Sequence, residues 1–384
     1  QSIIEEALLH GTSVLVFDPT VQWTGFLSRC QDKKFLELYP RFGLKKTDAR
    51  AFNGNIHQVN DAREVIEFRK FIKPGEINVF VVNKLETRDY ETFVSNVIRQ
   101  VFKENMPESK QLKLVLVFDE FHRLLPKYGG TGQVLIQVER AAREFRKWGV
   151  GLVLISQVIS DFQSEVLANI NTQIQMRTKD EGDLTRTKNE YGERYLQSLV
   201  KAAVGAGMVE NSNYNKGKPY FVQFRPLLHS TVRISDADLE NYNKYNRVID
   251  DLDYQLEQLE KEGIDIFDLK LELKLALDKV KAGSFNMVDI YLEGLTPRLK
   301  GFWSKLGKEP KQREIRRISE AELKKELDKA KKWRDKVEGK TPAQEEPTEE
   351  KPAGDDEPVA EETPVDSAKQ EQEEQQNVES AIGK

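Results

Sequence analysis

Cysteine is nearly absent from the 384-residue chain. Cys30 stands alone, which excludes a disulfide framework and a cysteine-rich metal site and suits a reducing cytoplasm. Four histidines occur, His10, His57, His122 and His229, and no two have ligand spacing. No run of about 18 apolar residues is present, so no membrane-spanning helix is expected. The opening QSIIEEALLHG has no initiator methionine and does not have the layout of a signal peptide. We expect the chain to begin within a domain.

Charge is plentiful and unevenly spread. The net charge is −5, but Thr341–Lys384 holds 14 acidic and 3 basic residues, which leaves the remainder at +6. A mildly basic body with an acidic tail is compatible with nucleic-acid contact and is weak evidence for it. The tail is rich in Pro, Glu and Gln and has almost no large apolar residues, so it is expected to be disordered.

Residues 1–232 alternate strand-like and helix-like stretches. Ser13–Asp18, Ile77–Asn83, Leu112–Glu120, Gly149–Gln157, Thr172–Thr178 and Pro219–Arg225 read as strands. YETFVSNVIRQVFKE and QVLIQVERAAREFRKW have helical apolar spacing between them. This alternation predicts an α/β fold with a parallel, doubly wound sheet. Residues 40–76 read as an inserted subregion punctuated by PRFG, FNGN and KPGE. At Ser235 the pattern changes. Leu239, Tyr242, Tyr245, Ile249, Leu252, Leu256 and Leu259 recur at threes and fours, a coiled-coil-like seam. After a break at Gly263, Ile266, Leu269, Leu273, Leu277 and Val280 resume it, so 235–307 reads as a helical hairpin followed by a short helix or two. Lys308–Lys340, with 13 basic and 8 acidic residues, reads as a charged helix.

The chemistry centres on LVLVFDEFHRLLP, Leu114–Pro126. An apolar run of this kind is a strand buried on both faces, and Asp119-Glu120 falls at its carboxyl end, where parallel sheets place their sites. Such a pair matches a Walker B element: one acid holds Mg²⁺ and the next orients the attacking water. Acidic strand ends that merely face solvent are also common. DEFH also spells a D-E-x-H helicase box, but no arginine-rich late helicase motif follows. A second signal is ERAAREFRKWGVGLVLISQ, Glu139–Gln157, a basic helix turning into another buried strand that ends in Gln157.

Together these stretches resemble the HerA/FtsK group of ring-forming, DNA-translocating P-loop ATPases. VLVFDPTVQWTGF (Val14–Phe26) is similar to the strand written F-D-P-x-G-E-Y in that group. ANINTQIQMRT (Ala168–Thr178) and YNKGKPYFVQFRPLLHS are similar to its later strands. The resemblance covers about residues 1–232 and implies a RecA-like core truncated at its N-terminus. The group's Gly-Lys-Ser/Thr loop opens a helix shortly before the F-D-P strand. Here SIIEEALLHG is that helix, and no G-x-x-x-x-G-K-[ST] occurs anywhere in the chain. The loop is expected just before Gln1, and the present chain alone is expected to be inactive. YGGTGQ (Tyr128–Gln133) lacks the lysine and reads as a mobile loop.

The resemblance also assigns roles. Asp119 would hold Mg²⁺ through water, Glu120 would polarise the attacking water, and Gln157 would contact that water or the γ-phosphate of ATP. Asp18 would assist the metal shell, unless it only caps its turn. Gln22 stands where the group often has Glu, which puts any acidic role there in doubt. Arg143 and Arg146, three apart on one helix face, are candidates for an arginine finger reaching a neighbour, with Arg177 next; surface charge is the plain alternative. The implied protein is a cytoplasmic, hexameric ATPase acting on double-stranded DNA, with a nuclease as a further partner. A conjugation, secretion or packaging ATPase shares these motifs. A non-catalytic coiled-coil scaffold with a degenerate ATPase fold is the reading outside enzymes.

Overall fold

A computed structural model describes residues 1–125, 131–157 and 164–337. The acidic tail lies outside the described residues, as does Tyr128–Gly130 of the glycine-rich loop. In chain order the regular elements begin with α1 (Ser2–Leu9), β1 (Ser13–Asp18), α2 (Lys33–Leu38), β2 (Gly54–Gln58), α3 (Phe68–Phe71) and β3 (Ile77–Val81). There follow α4 (Thr87–Lys103), β4 (Leu114–Phe118), α5 (Val134–Glu144), β5 (Val150–Leu154), α6 (Ser164–Leu167) and β6 (Thr172–Met176). Then come α7 (Glu181–Tyr191), α8 (Glu193–Val200), β7 (Ala206–Asn211), β8 (Tyr220–Gln223), α9 (Asp236–Lys261), α10 (Phe267–Lys281), α11 (Phe285–Leu306) and α12 (Glu320–Val337).

Five strands form one parallel sheet in the order β2-β3-β1-β4-β5. Its central strands are apolar on both faces because helices cover both. On one face Leu15, Phe17, Phe80, Leu116 and Phe118 pack with α4 and α5. There the Phe17 ring stacks on Phe118 at 4.8 Å and on Phe80 at 5.6 Å between centroids. On the other face Val14, Val16, Ile56, Ile77 and Val79 pack with α1 and with α9, α10 and α11. Gly149, at φ 70°, makes the turn into β5 beside Gln111, where a Cβ would collide with that residue's carbonyl oxygen.

Three expectations need correction. The stretch 40–76 contains β2, an edge strand of the main sheet, and is not an insertion. Its GNIHQ sequence is too short and polar to signal a strand, and pairing with β3 supplies what propensity does not. The strands expected at 172–178 and 219–225 are not in the parallel sheet. They are β6 and β8 of a separate antiparallel sheet, joined through β7. The alternating Gln173, Ile174, Gln175 pattern belongs to such a half-exposed strand. Finally, the charged helix is confined to α12. Residues 308–319 instead run extended along 63–65, where Val65 N donates to Arg316 O (2.9 Å) and Ile318 N to Arg63 O (2.8 Å). Ser319 and Glu322 then form a capping box that starts α12.

The seam residues Leu239 to Leu259 are all buried on α9, and they share one core with the sheet. The hairpin therefore closes over β2 and its neighbours. α11 is one continuous 22-residue helix through Pro297, where a short helix or two was expected. Leu295, Leu299 and Trp303 hold it in the core on both sides of the missing hydrogen bond. No helix among the described residues is long and apolar enough to cross a membrane.

Candidate active site

The carboxyl ends of β1, β4 and β5 lie side by side, because β4 pairs with both others. Asp18, Asp119 and Gln157 follow these three strands. Burial decides the character of the two aspartates. Asp119 is 8 % exposed and Asp18 fully buried. Burial pushes both carboxyls above the usual range, against the hydrogen bonds they accept.

Asp119 receives two bonds. Its Oδ1 accepts Glu120 N at 2.9 Å and its Oδ2 accepts Trp23 Nε1 at 2.9 Å. Its backbone carbonyl accepts the Tyr90 hydroxyl at 3.0 Å. Asp18 is committed locally: Thr20 N (2.8 Å) and Thr20 Oγ1 (2.9 Å) bind one oxygen, and Trp23 N (2.8 Å) binds the other. That is the geometry of a cap on the turn after β1, and it shapes the loop carrying Trp23.

Glu120 sits at φ 48° and begins the helical turn that follows β4. This left-handed backbone turns its side chain toward β5, where Gln157 Nε2 donates to both carboxylate oxygens at 3.0 and 3.2 Å. His122 Nδ1 lies 3.2 Å from the same carboxylate. The structure thus brings Asp119, Glu120 and Gln157 together. On the far side of Asp119, Val21 has φ 65°, a strained conformation for a β-branched residue that costs on the order of 1–2 kcal/mol. Backbone strain on both flanks of the aspartates is a frequent mark of a functional site.

The arginines lie elsewhere. Arg143 and Arg146 precede β5, at the amino end of the sheet, while Asp119 follows β4. A five-residue strand separates those ends by roughly 16 Å. Neither arginine can therefore serve the acids of its own chain. Arg143 is held within the chain: Nε donates to Asn169 Oδ1 at 2.6 Å, Glu139 lies 3.4 Å away, and the guanidinium sits 5.3 Å over the Trp333 ring of α12. Arg146 is exposed, and so is Arg177 after β6.

Trp23, Tyr90 and His122 were not singled out from the sequence. Trp23 did leave a signal. In F-D-P-x-G-E-Y it stands at the aromatic position and Val21 at the glycine, which explains the positive φ of Val21. Nothing in the sequence marks Tyr90 as a partner of Asp119, 29 residues away.

The model of the HerA-like helicase C-terminal family matches residues 69–235, a span that holds the acid pair, Gln157 and all three arginines. Residues 69–235 are thus similar to the HerA/FtsK type of P-loop ATPase. A probable helicase of Methanocaldococcus jannaschii is 31 % identical over 188 residues, covering 44 % of this chain and 36 % of that protein. The DNA double-strand break repair helicase HerA of Sulfurisphaera tokodaii is 26 % identical over 147 residues, covering 36 % of this chain and 30 % of that protein. The chain thus spans about a third of the length of these relatives. VirB4 of Thermoanaerobacter pseudethanolicus aligns at a TM-score of 0.37 and 14 % identity over 58 % of this chain and 84 % of that one, too weak a likeness to add to the assignment.

Proposed function

We propose that this chain supplies the catalytic acids of a cytoplasmic HerA-type ATPase that assembles as a ring, a hexamer by the family pattern, and moves double-stranded DNA. The observation that carries the reading is the Asp119–Glu120–Gln157 constellation at adjacent strand ends, with Glu120 gripped by Gln157 through both oxygens.

The donor set fits a magnesium site of the kind that leans on substrate. No group of three or more His, Cys, Asp or Glu side chains among the described residues could cage a metal. Mg²⁺ is commonly held by one or two carboxylates, waters and substrate phosphates. Asp119, a buried carboxyl pushed toward its neutral form, would be returned to the charged form by a nearby cation. Asp119 would hold Mg²⁺ through water, and the ion would neutralise charge on the ATP phosphates. Glu120 accepts a hydrogen bond from the attacking water and orients it. Gln157 fixes the direction of Glu120 and releases it when water and phosphate arrive. The charge that develops on the phosphates is met in trans by an arginine of a neighbouring chain, Arg146 or Arg143, with Arg177 next in line. A nuclease partner would connect such a motor to DNA-end processing.

The test is Glu120→Gln in the intact protein. It keeps shape and loses the charge that orients water, so ATP binding persists while turnover falls on the order of 10²–10⁴. Turnover at the wild-type rate would remove the Walker B assignment, and with it this reading.

A further inference from the structure

Trp23 is buried, and its indole N–H could have been satisfied by any acceptor or by none. Trp303 makes the comparison: its Nε1 is also buried, and among the described residues it has no hydrogen-bond partner. Trp23 instead places Nε1 2.9 Å from Asp119 Oδ2, across 96 residues of sequence. Its own position is determined several times over. Its backbone N–H is bound by Asp18 Oδ2 at 2.8 Å, and its ring stacks on Phe26 at 5.3 Å and 11°. Thr24 Oγ1 donates to Val21 O at 2.7 Å and holds the strained turn that precedes it.

We propose that Trp23 is a positioning residue for Asp119. Its N–H ties down Oδ2, while Glu120 N ties down Oδ1. The carboxylate is thereby fixed in rotation before a metal or nucleotide arrives, and each oxygen keeps one lone pair for a water of the metal shell. The stack continues beyond Phe26 to His229, at 3.6 Å, which bonds Glu5 of α1 at 2.6 Å. Trp23 thus connects the acid to α1 through packed rings. The inference rests on the assignment of Asp119 as the acid that holds Mg²⁺ through water.

The experiment uses the intact protein with ¹⁵N-labelled tryptophan, in which each indole, among them the four of this chain, gives its own N–H signal. The signal lost in Trp23→Phe identifies Trp23. In the wild type it should lie downfield of the others, move on adding Mg²⁺ with ATP, and move upfield in Asp119→Ala. Mg²⁺ titration at saturating ATP should show half-saturation raised about tenfold in Trp23→Phe, the order expected for loss of a hydrogen bond to a charged group. Trp23→Tyr, which keeps a ring and a donor, should recover most of that loss. A Trp23 signal indifferent to both Asp119→Ala and Mg²⁺ overturns the proposal. So does unchanged Mg²⁺ half-saturation in a folded Trp23→Phe protein. If Trp23→Phe does not fold, Trp23→Tyr identifies the signal, and the response of the wild-type signal still decides. If Asp119→Ala itself leaves Mg²⁺ half-saturation unchanged, the assignment of Asp119 has failed, and that result is separate from any result on Trp23.

Discussion

Glu5→Gln probes how α1 is fastened to the rest of the core. Glu5 is fully buried, and its Oε1 accepts three donors: Leu228 N at 2.7 Å, His229 N at 3.0 Å and His229 Nδ1 at 2.6 Å. Its Oε2 accepts Arg225 Nη1. Burial alone would raise this carboxyl, but the bonds from His229 and Arg225 outweigh it and hold the carboxyl below its usual range. In Glu5→Gln the amide N–H₂ group must face either Arg225 or the His229 donors, so one donor set is left unmatched in a buried place. Breaking a buried pair typically costs about 3–5 kcal/mol. Arg225 keeps Glu6 at 2.6 Å, so the low end, about 3 kcal/mol, applies. In a chain of this size that lowers the melting temperature by roughly 6 °C. The pH dependence has a definite sign. A carboxyl depressed in the folded state contributes stability above its unfolded value, and that contribution is lost as pH falls through the folded value. Wild type should therefore lose stability on acidification below about pH 4.5, and Glu5→Gln should lose less. Calorimetric melts at pH 7 and pH 4 check both, with Glu6→Gln, half exposed, as the mild control. A Glu5→Gln protein melting within a degree of wild type at pH 7 would refute the reasoning.

His57 stacks on Phe80 at 5.0 Å, and burial pushes it down to about 4. Because the unfolded chain binds the proton more readily, stability should decline as pH falls from about 6.5 toward 4, by at most about 3 kcal/mol. His57→Phe should remove that part of the slope in urea melts, and an unaltered slope would contradict it. Leu256 on α9 is fully buried in the core shared with the sheet, so Leu256→Ala should cost about 2–5 kcal/mol and shift one cooperative transition. Two separate transitions would show that 235–306 folds independently. Arg143→Ala and Arg146→Ala should each leave nucleotide binding intact, and whichever reaches a neighbour should lower turnover by roughly 10³-fold or more. Mixing that variant with Glu120→Gln should restore measurable turnover, because some interfaces then combine an intact acid with an intact arginine. If neither arginine matters, Arg177 is next.

The sequence by itself determined what periodicity and local chemistry can encode. Strands such as Ser13–Asp18 are apolar throughout because both faces are covered, and they were legible for that reason. The Asp119-Glu120 pair was legible because a strand end is a local event, and so was the Ser235 cap. Only the tertiary structure decided which strands share a sheet. The short GNIHQ segment becomes a strand by pairing with β3, while 172–176 leaves for another sheet despite a similar appearance. It also decided what the Leu239–Leu259 seam faces, since a heptad-like stripe packs equally well on a helix or on a sheet. The site shows the same division. Asp18 is a candidate ligand in the sequence, and three local donors engage its oxygens in the fold. Trp23, Tyr90 and Asp119 meet from three separate stretches because β1 and β4 are neighbours and α4 covers one face. Hydrogen bonds between residues 29 and 96 positions apart leave no trace in local pattern, because what brings them together is the burial of distant apolar surfaces.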